Sequence, residues 1–148
     1  MNFFRTEDQA AFNTLHVATR ETLDHYRDAV ELVDQSIGKI FRDIGAMRRG
    51  FVHRLEEAVR ALGDLPAVPD PDKESGEMLL HHVAALFQHD YAADVFHQRI
   101  EGEKKLANLV KETQTDSLDE SHRNLLQELD VHIAETITQL QSAHKFKE

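Results

Sequence analysis

The sequence predicts an all-α fold, a four-helix bundle with one long crossover between its second and third helices. Apolar residues recur at helical spacing in four long stretches. No stretch shows the strict apolar and polar alternation that is typical of a half-buried β-strand. All three prolines, Pro66, Pro69 and Pro71, fall within residues 63–72, and proline cannot continue a helix because it lacks the amide donor. This stretch is therefore the expected linker.

The first half of the chain contains two amphipathic helices. The apolar stripe of the first covers residues 12–33, and that of the second covers residues 37–62. The break lies between the two stripes, where Asp34 or Ser36 can cap the second helix with a side-chain oxygen. Gly63 is expected to end that helix, because glycine readily adopts the left-handed conformation found after a helix terminus.

The second half contains a crossover and two further long helices. A short helix is expected at residues 78–88, inside the crossover, and the third long helix at residues 90–112. Residues 115–117, Thr-Asp-Ser, are polar and suited to capping, so they should end the third helix and cap the fourth. The fourth helix carries the apolar residues of 118–140, and the lysine-rich residues 144–148 are expected to fray.

Length and composition set limits on both the fold and the function. A chain of 148 residues, 41% hydrophobic, is long enough to bury about 70% of its unfolded surface, so residues 1–148 are expected to form a single domain. The formal net charge of −10 repels the phosphates of nucleic acids and of anionic membranes. The sequence contains no cysteine, so any metal would have to be held by His, Asp and Glu.

We expect neither a signal peptide nor a membrane-spanning helix in this sequence. Its first residues do not combine a basic segment with a continuous apolar one, as a signal peptide does. No apolar run approaches the roughly 20 residues that a membrane-spanning helix needs. We therefore expect a cytoplasmic protein that binds neither nucleic acid nor membrane.

Few polar residues interrupt the apolar stripes, and those that do are candidates for function. Helical phasing places nine of them on or beside a stripe: His16, Thr19, Thr22, Arg48, Arg99, Glu103, His122, His132 and Thr136. A carboxylate buried without a partner costs several kcal/mol, so we predict that Glu103 is buried and hydrogen-bonded. Its candidate partners are Arg99, Arg48 and His132. On this interpretation Glu103 belongs to a polar core with Thr19, Arg48 and Arg99, and a role as a metal ligand together with His132 is the alternative.

Three stretches of the sequence carry a resemblance to a known group of proteins. They are Leu23-Asp-His-Tyr-Arg-Asp-Ala29, Met47-Arg-Arg-Gly-Phe-Val-His-Arg-Leu-Glu56 and Ile100-Glu-Gly-Glu103. They resemble a bacterial group of ferritin-like proteins, related to the rubrerythrins, whose function is unknown. The resemblance covers nearly the whole chain and implies the ferritin-like four-helix bundle, with a short helix after a Gly/Pro-rich loop.

The resemblance also implies where a metal centre would lie. Di-iron proteins of this superfamily carry a glutamate on each of two helices and a Glu-x-x-His motif on each of the other two. The matching places in this chain hold Thr19, Arg48, Phe51, Glu103, Leu129 and His132. Only Glu103 and His132 keep a ligand type, and Arg48 adds positive charge where two cations would sit. The implied di-metal site is therefore degenerate, unless a one-residue shift in phase brings Glu21 or Glu128 into it.

Two functions of different classes follow from these residues. In the first, the bundle needs no cofactor and acts through assembly or partner binding rather than iron oxidation. In the second, it is a metal-dependent oxidoreductase or metal-binding protein that holds iron or another divalent cation with Glu103 and His132. A homodimer or larger homo-oligomer is expected, with residues 78–88 or Phe3-Phe4 in the contact, because Leu80 lies off the bundle-facing stripe of the short helix.

Overall fold

The structure is a computed structural model that describes residues 5–68 and 91–147. Within these two ranges the chain forms helices and no strand, so the expectation of an all-α, four-helix fold is confirmed. The helices are α1 (Glu7–Val30), α2 (Gln35–Ala61), α3 (Tyr91–Thr113) and α4 (Glu120–Lys147). None of the described helices is long and apolar enough to cross a membrane.

Both ends of α2 lie where the sequence predicts them. The Asp34 carboxylate accepts a hydrogen bond from the Ile37 amide at 3.0 Å, which satisfies one of the free donors of the first turn. Ser36, the other candidate cap, instead donates its hydroxyl proton to Asp34. At the other end Gly63 adopts φ +85°, and its amide donates to the carbonyl of Arg60 at 2.9 Å.

The two ends of α4 differ from the prediction. The cap is Asp119, whose carboxylate accepts a hydrogen bond from the His122 amide at 2.9 Å, and not one of residues 115–117. Ser117, a candidate cap, lies in the preceding loop and donates its hydroxyl proton to a carboxylate of α1. The helix continues to Lys147, so it includes residues 144–147, where fraying was expected.

The helices pack as a square around two apolar clusters. α1 contacts α2 and α3, whereas α4 contacts α3 and, less closely, α2. One cluster joins the start of α1 to the end of α2, and includes Phe12 and Val59. The other joins the end of α1 to the start of α2, and includes Tyr26, Phe41 and Phe96. The middle of the bundle, between the two clusters, is where the candidate site lies.

The directions of the helices follow from the same two clusters. The cluster around Val59 also holds Val110 of α3, and the cluster around Phe41 holds Phe96, near the start of α3. The end of α2 and the start of α3 are therefore at opposite ends of the bundle. The expected crossover and its short helix at residues 78–88 lie outside the described residues, as does Phe3-Phe4.

Candidate functional site

A layer of polar side chains lies in the middle of the bundle, and every helix contributes to it. It adjoins both apolar clusters and shares Tyr26 with one of them. We call it the polar layer. All of its members are buried, and Arg48 and Glu103 are respectively 0% and 1% exposed. The polar layer consists of Thr22 and Tyr26 from α1, Arg48 from α2, Glu103 from α3 and His132 from α4.

The Arg48 guanidinium is the centre of the polar layer, because each of its three nitrogens bonds to a different helix. Nη2 donates to both carboxylate oxygens of Glu103, at 2.6 and 2.9 Å. Nη1 donates to the Thr22 hydroxyl at 2.8 Å, and Nε donates to Nε2 of His132 at 3.0 Å. Arg48 thus connects α2 to α3, α1 and α4 at a single height.

The Glu103 carboxylate has a second buried donor besides Arg48. The Tyr26 hydroxyl donates to Glu103 Oε1 at 2.5 Å. Burial, and next the negative charge of Glu103, raise the pKa of Tyr26 well above its usual value. Tyr26 therefore stays protonated and remains a donor, and the buried carboxylate is both charge-paired and hydrogen-bonded.

His132 serves as a neutral hydrogen-bond acceptor. Burial, and next the positive charge of Arg48, lower the pKa of His132 from 6.5 to about 4. Its Nε2 accepts the Arg48 proton, which assigns the ring's own proton to Nδ1. The ring stacks on Phe51 with the centroids 5.0 Å apart, and this contact fixes the ring plane toward α2.

The prediction that Glu103 is buried and paired with Arg99, Arg48 or His132 is confirmed, with Arg48 as the partner. Arg99 is also buried, and its guanidinium carbon lies 5.8 Å from the centroid of the Tyr26 ring. The Arg48 guanidinium carbon lies at the same distance from that centroid. Tyr26 is therefore in contact with two cationic groups as well as with Glu103.

The remaining polar residues that were predicted to point inward are buried too, but they lie outside the polar layer. The Thr19 hydroxyl donates to the Leu15 carbonyl of its own helix at 2.7 Å. His16 Nε2 lies 3.3 Å from a carboxylate oxygen of Glu56, and burial lowers the pKa of His16 below its usual value. His122 bonds to the residue that caps α4, and Thr136 to the backbone of α4.

Neither Glu21 nor Glu128, which a one-residue shift in helical phase would have brought into the site, points into the core. Glu128 is exposed and forms an ion pair with Arg54 of α2 on the surface of the bundle. Glu21 is partly exposed. Leu129, which follows Glu128, is fully buried. The helical phase predicted for α4 without the shift is therefore correct.

The six places that the resemblance assigns to metal ligands do not form a donor set for two cations. Thr19, Phe51 and Leu129 supply no carboxylate or imidazole. Both Glu103 oxygens and the His132 Nε2 are already hydrogen-bonded to Arg48. Among residues 5–68 and 91–147, no group of three or more His, Cys, Asp or Glu is arranged to hold a metal ion.

No protein-family model, curated protein or solved structure matches the chain. The resemblance to the ferritin-like group therefore depends on the three sequence stretches that carry it. The chemistry of the polar layer itself is that of a buried cation, Arg48, paired with the carboxylate of Glu103.

One member of the polar layer, Tyr26, was not among the polar residues that helical phasing singled out. Tyr26 lies on the stripe of α1, where a tyrosine is indistinguishable by periodicity from a phenylalanine. A buried tyrosine hydroxyl needs a partner, and Thr22, one turn earlier on the same face, signals that this part of the stripe is polar. Together these two residues are the signal that locates the α1 side of the site.

Proposed function

We propose that the chain is a ferritin-like bundle in which an arginine–glutamate pair replaces the di-metal centre, and that it acts through assembly or partner binding rather than iron oxidation. The observation that supports this most directly is the donation of Arg48 Nη2 to both oxygens of Glu103. The opposite placement of the α2 and α3 ends agrees with the single long crossover of that architecture.

The charge of Arg48 is the physical reason for this choice. A guanidinium 4 Å from a divalent cation repels it by roughly 8 kcal/mol at an effective dielectric constant of about 20, which is twice the value for two unit charges. Two such cations would have to bind beside Arg48, with one carboxylate and one imidazole as ligands. Arginine is permanently charged, so this repulsion does not disappear at any pH at which the protein is folded.

Arg48 takes over the structural part of a metal centre's role. A metal ion in a bundle core ties side chains of facing helices together, and Arg48 does the same with three of its donors. The bundle is therefore expected to be fully formed without metal. The surface of the bundle would then carry the function, by binding a second copy in a homodimer, further copies in a larger homo-oligomer, or another protein.

The test is iron binding and oxidation by protein purified without a histidine tag. We expect metal analysis to find no stoichiometric metal, and an anaerobic Fe(II) titration followed by oxygen to show no consumption above buffer. Light scattering should report a mass that is a multiple of the 17.0 kDa chain. Two irons per chain with rapid oxygen consumption would instead establish the alternative, a metal-dependent oxidoreductase that uses Glu103 and His132.

Two variants distinguish core iron from iron bound loosely at the surface. Glu103→Gln and His132→Gln remove the two candidate ligands while keeping the size of each side chain. If any iron that the protein binds is lost in both variants, it was bound in the core and the proposal is wrong. If it persists unchanged, it was held by exposed carboxylates and histidines, and the proposal stands.

A further inference from the structure

The start of α1 holds two loops at one end of the bundle. One is the segment that follows α2, and the other is the α3–α4 loop, residues 114–119. Three side chains from the first two turns of α1 bond to them: Asp8, Gln9 and Asn13. We call residues 6–13 the α1 clasp, because it connects parts of the chain that are distant in sequence.

Asn13 uses its whole side-chain amide in these contacts. It is 3% exposed, and its nitrogen donates to the Asp64 carboxylate at 3.0 Å and to the Leu65 carbonyl at 2.8 Å. Its oxygen accepts the amide proton of Ala67 at 2.7 Å. Donor and acceptor are thus both engaged, which fixes the orientation of the amide group.

The segment after α2 depends on these bonds because it has no secondary structure of its own. Residues 64–67 are neither helical nor in a strand, so their backbone groups need partners elsewhere. Asn13 supplies them on both sides of Pro66, which has no amide proton to satisfy. Arg5 adds an ion pair, with Nε 3.0 Å from an Asp64 oxygen. Side chains from the start of the chain therefore hold this segment to the bundle.

Asp8 holds the α3–α4 loop in the same way. Its two carboxylate oxygens accept the hydroxyl protons of Thr115 at 2.9 Å and of Ser117 at 2.6 Å. Leu118, which follows Ser117, is 4% exposed and belongs to the same apolar cluster as Phe12 of α1. The loop is thereby fixed to the first turn of α1.

Both sets of contacts require α1 to be helical from its first residues. A capping box begins the helix: Gln9 Oε1 accepts the amide proton of Thr6 at 2.9 Å, and the Gln9 amide donates to the Thr6 hydroxyl at 3.1 Å. The same Gln9 side chain donates from Nε2 to the Leu62 carbonyl at 2.8 Å, just beyond the end of α2. One side chain therefore joins the cap of α1 to the end of α2.

We propose that the α1 clasp opens and closes this end of the bundle as one unit. When the first two turns of α1 unwind, residues 64–67 and the α3–α4 loop are released together, while the rest of the four helices stays folded. Helix ends open locally at a much lower free energy than the whole fold. The clasp lies outside the polar layer, and the inference does not depend on the proposed function.

Amide hydrogen exchange followed by NMR tests the clasp. The Ala67 amide reports on the segment after α2, and the Leu118 amide, which donates to a carbonyl within its own loop, reports on the α3–α4 loop. The Ile37 amide is the control, because it is bonded to the cap of α2 at the opposite end of the bundle. Its exchange should stay the same in every variant.

The main variant weakens the start of α1 without touching either loop. Thr6→Ala removes the hydroxyl of the capping box, and we expect both the Ala67 and the Leu118 amides to exchange about fivefold faster. Thr6→Ser keeps the hydroxyl and should behave as the wild-type protein. Thr6 is exposed, so neither substitution disturbs the core.

Further variants release one loop at a time. Asn13→Ala removes the bonds to residues 64–67, so the Ala67 amide should exchange about tenfold faster while the Leu118 amide does not change. Asn13→Leu keeps the size of the side chain but forms no hydrogen bond, and should act in the same way. Ser117→Ala should accelerate the Leu118 amide and leave the Ala67 amide unchanged.

The pattern across these variants decides the matter. Faster exchange at both amides in Thr6→Ala, and at one amide in each single-loop variant, supports a clasp that opens as one unit. If Thr6→Ala accelerates only one amide or neither, the loops open independently of the helix start and the inference is wrong. If Asn13→Ala or Ser117→Ala accelerates both, the loops support each other without α1, which also overturns it.

Discussion

Arg48 and Glu103 form an ion pair that is almost wholly removed from solvent, with side chains 0% and 1% exposed and the closest atoms 2.6 Å apart. Removing two charges from water costs several kcal/mol each, so a pair of this kind contributes little net stability compared with apolar residues of equal volume. Its value is specificity, because α2 and α3 can satisfy both charges in one relative position. The pair thus fixes how the diagonal helices of the bundle are aligned.

Loss of one partner should be far more costly than loss of both. We expect Arg48→Met to lower the free energy of unfolding by about 3–5 kcal/mol, because it leaves the Glu103 carboxylate buried without a counter-charge. The double variant Arg48→Met/Glu103→Leu should regain most of this loss. Urea unfolding followed by circular dichroism measures both.

The adjacent residue Arg49 supplies the control for that experiment. It is exposed, so Arg49→Met should change the free energy of unfolding by no more than about 0.5 kcal/mol. A similar small effect for Arg48→Met would contradict the buried ion pair, since Glu103 would then be free to reach water or another donor.

The Tyr26 hydroxyl should contribute measurably to the same network. Tyr26→Phe removes one donor from a buried carboxylate, and we expect a loss of about 1.5–3 kcal/mol in unfolding free energy. Thr19→Val is the comparison within α1, because the Thr19 hydroxyl bonds only a backbone carbonyl that its helix already uses. Its effect should be clearly smaller, and equal effects would mean that Tyr26 does not stabilise Glu103.

The sequence predicts which polar residues face inward, because a bundle core imposes the helical period on every stripe. His16, Arg48, Glu103 and His132 were all placed correctly on this basis. Periodicity gives the rotation of each helix about its own axis but not its height relative to the others. For that reason the choice between Arg48 and Arg99 as the partner of Glu103 needed the structure.

Helix ends were predictable to within a few residues, because each break offers more than one capping residue; at α2 the candidates were Asp34 and Ser36. The structure selects Asp34 of these two and has Gly63 after the end of α2 as predicted, whereas the α4 cap was placed within 115–117 although Asp119 is the residue used. Asp and Ser cap helices about equally well, so the sequence does not rank these neighbouring candidates. At α1, Thr6 and Gln9 form a capping box whose Thr-x-x-Gln spacing was present in the sequence.

Acid should destabilise the fold through His132. Its pKa is about 4 in the folded state against 6.5 for an unperturbed histidine, so between these values the unfolded chain binds a proton that the folded chain does not. Stability contributed by neutral His132 is complete above pH 6.5. It is lost as the pH falls toward 4, by up to about 1.4 kcal/mol per pH unit.

His132→Gln isolates this contribution. The amide can still accept the proton of Arg48 Nε but does not titrate, so the unfolding free energy of the variant should depend less on pH between 6.5 and 4.5. His16, whose pKa is also lowered, acts in the same direction in both proteins and cancels in the comparison. Parallel pH profiles for the two proteins would show that His132 has the same pKa in the folded protein as in the unfolded chain.

A metal ion should be able to replace Arg48 only after the guanidinium is removed. Arg48→Glu places a second carboxylate beside Glu103 and His132, which gives two carboxylates and one imidazole, a donor set suited to Fe(II), Mn²⁺ or Co²⁺. Without metal this variant should be less stable than Arg48→Met, because two carboxylates then repel each other in the core.

Added Co²⁺ should restore stability to Arg48→Glu, by about 2.7 kcal/mol at 100 times the dissociation constant. Co²⁺ should not stabilise the wild-type protein or the Arg48→Met variant, because neither has a carboxylate at position 48 to act as the third ligand. Urea unfolding with and without Co²⁺, together with the visible absorption of bound Co²⁺, measures this. Equal stabilisation of all three proteins would mean that Co²⁺ binds outside the polar layer, and that Arg48 does not occupy the place of the cation.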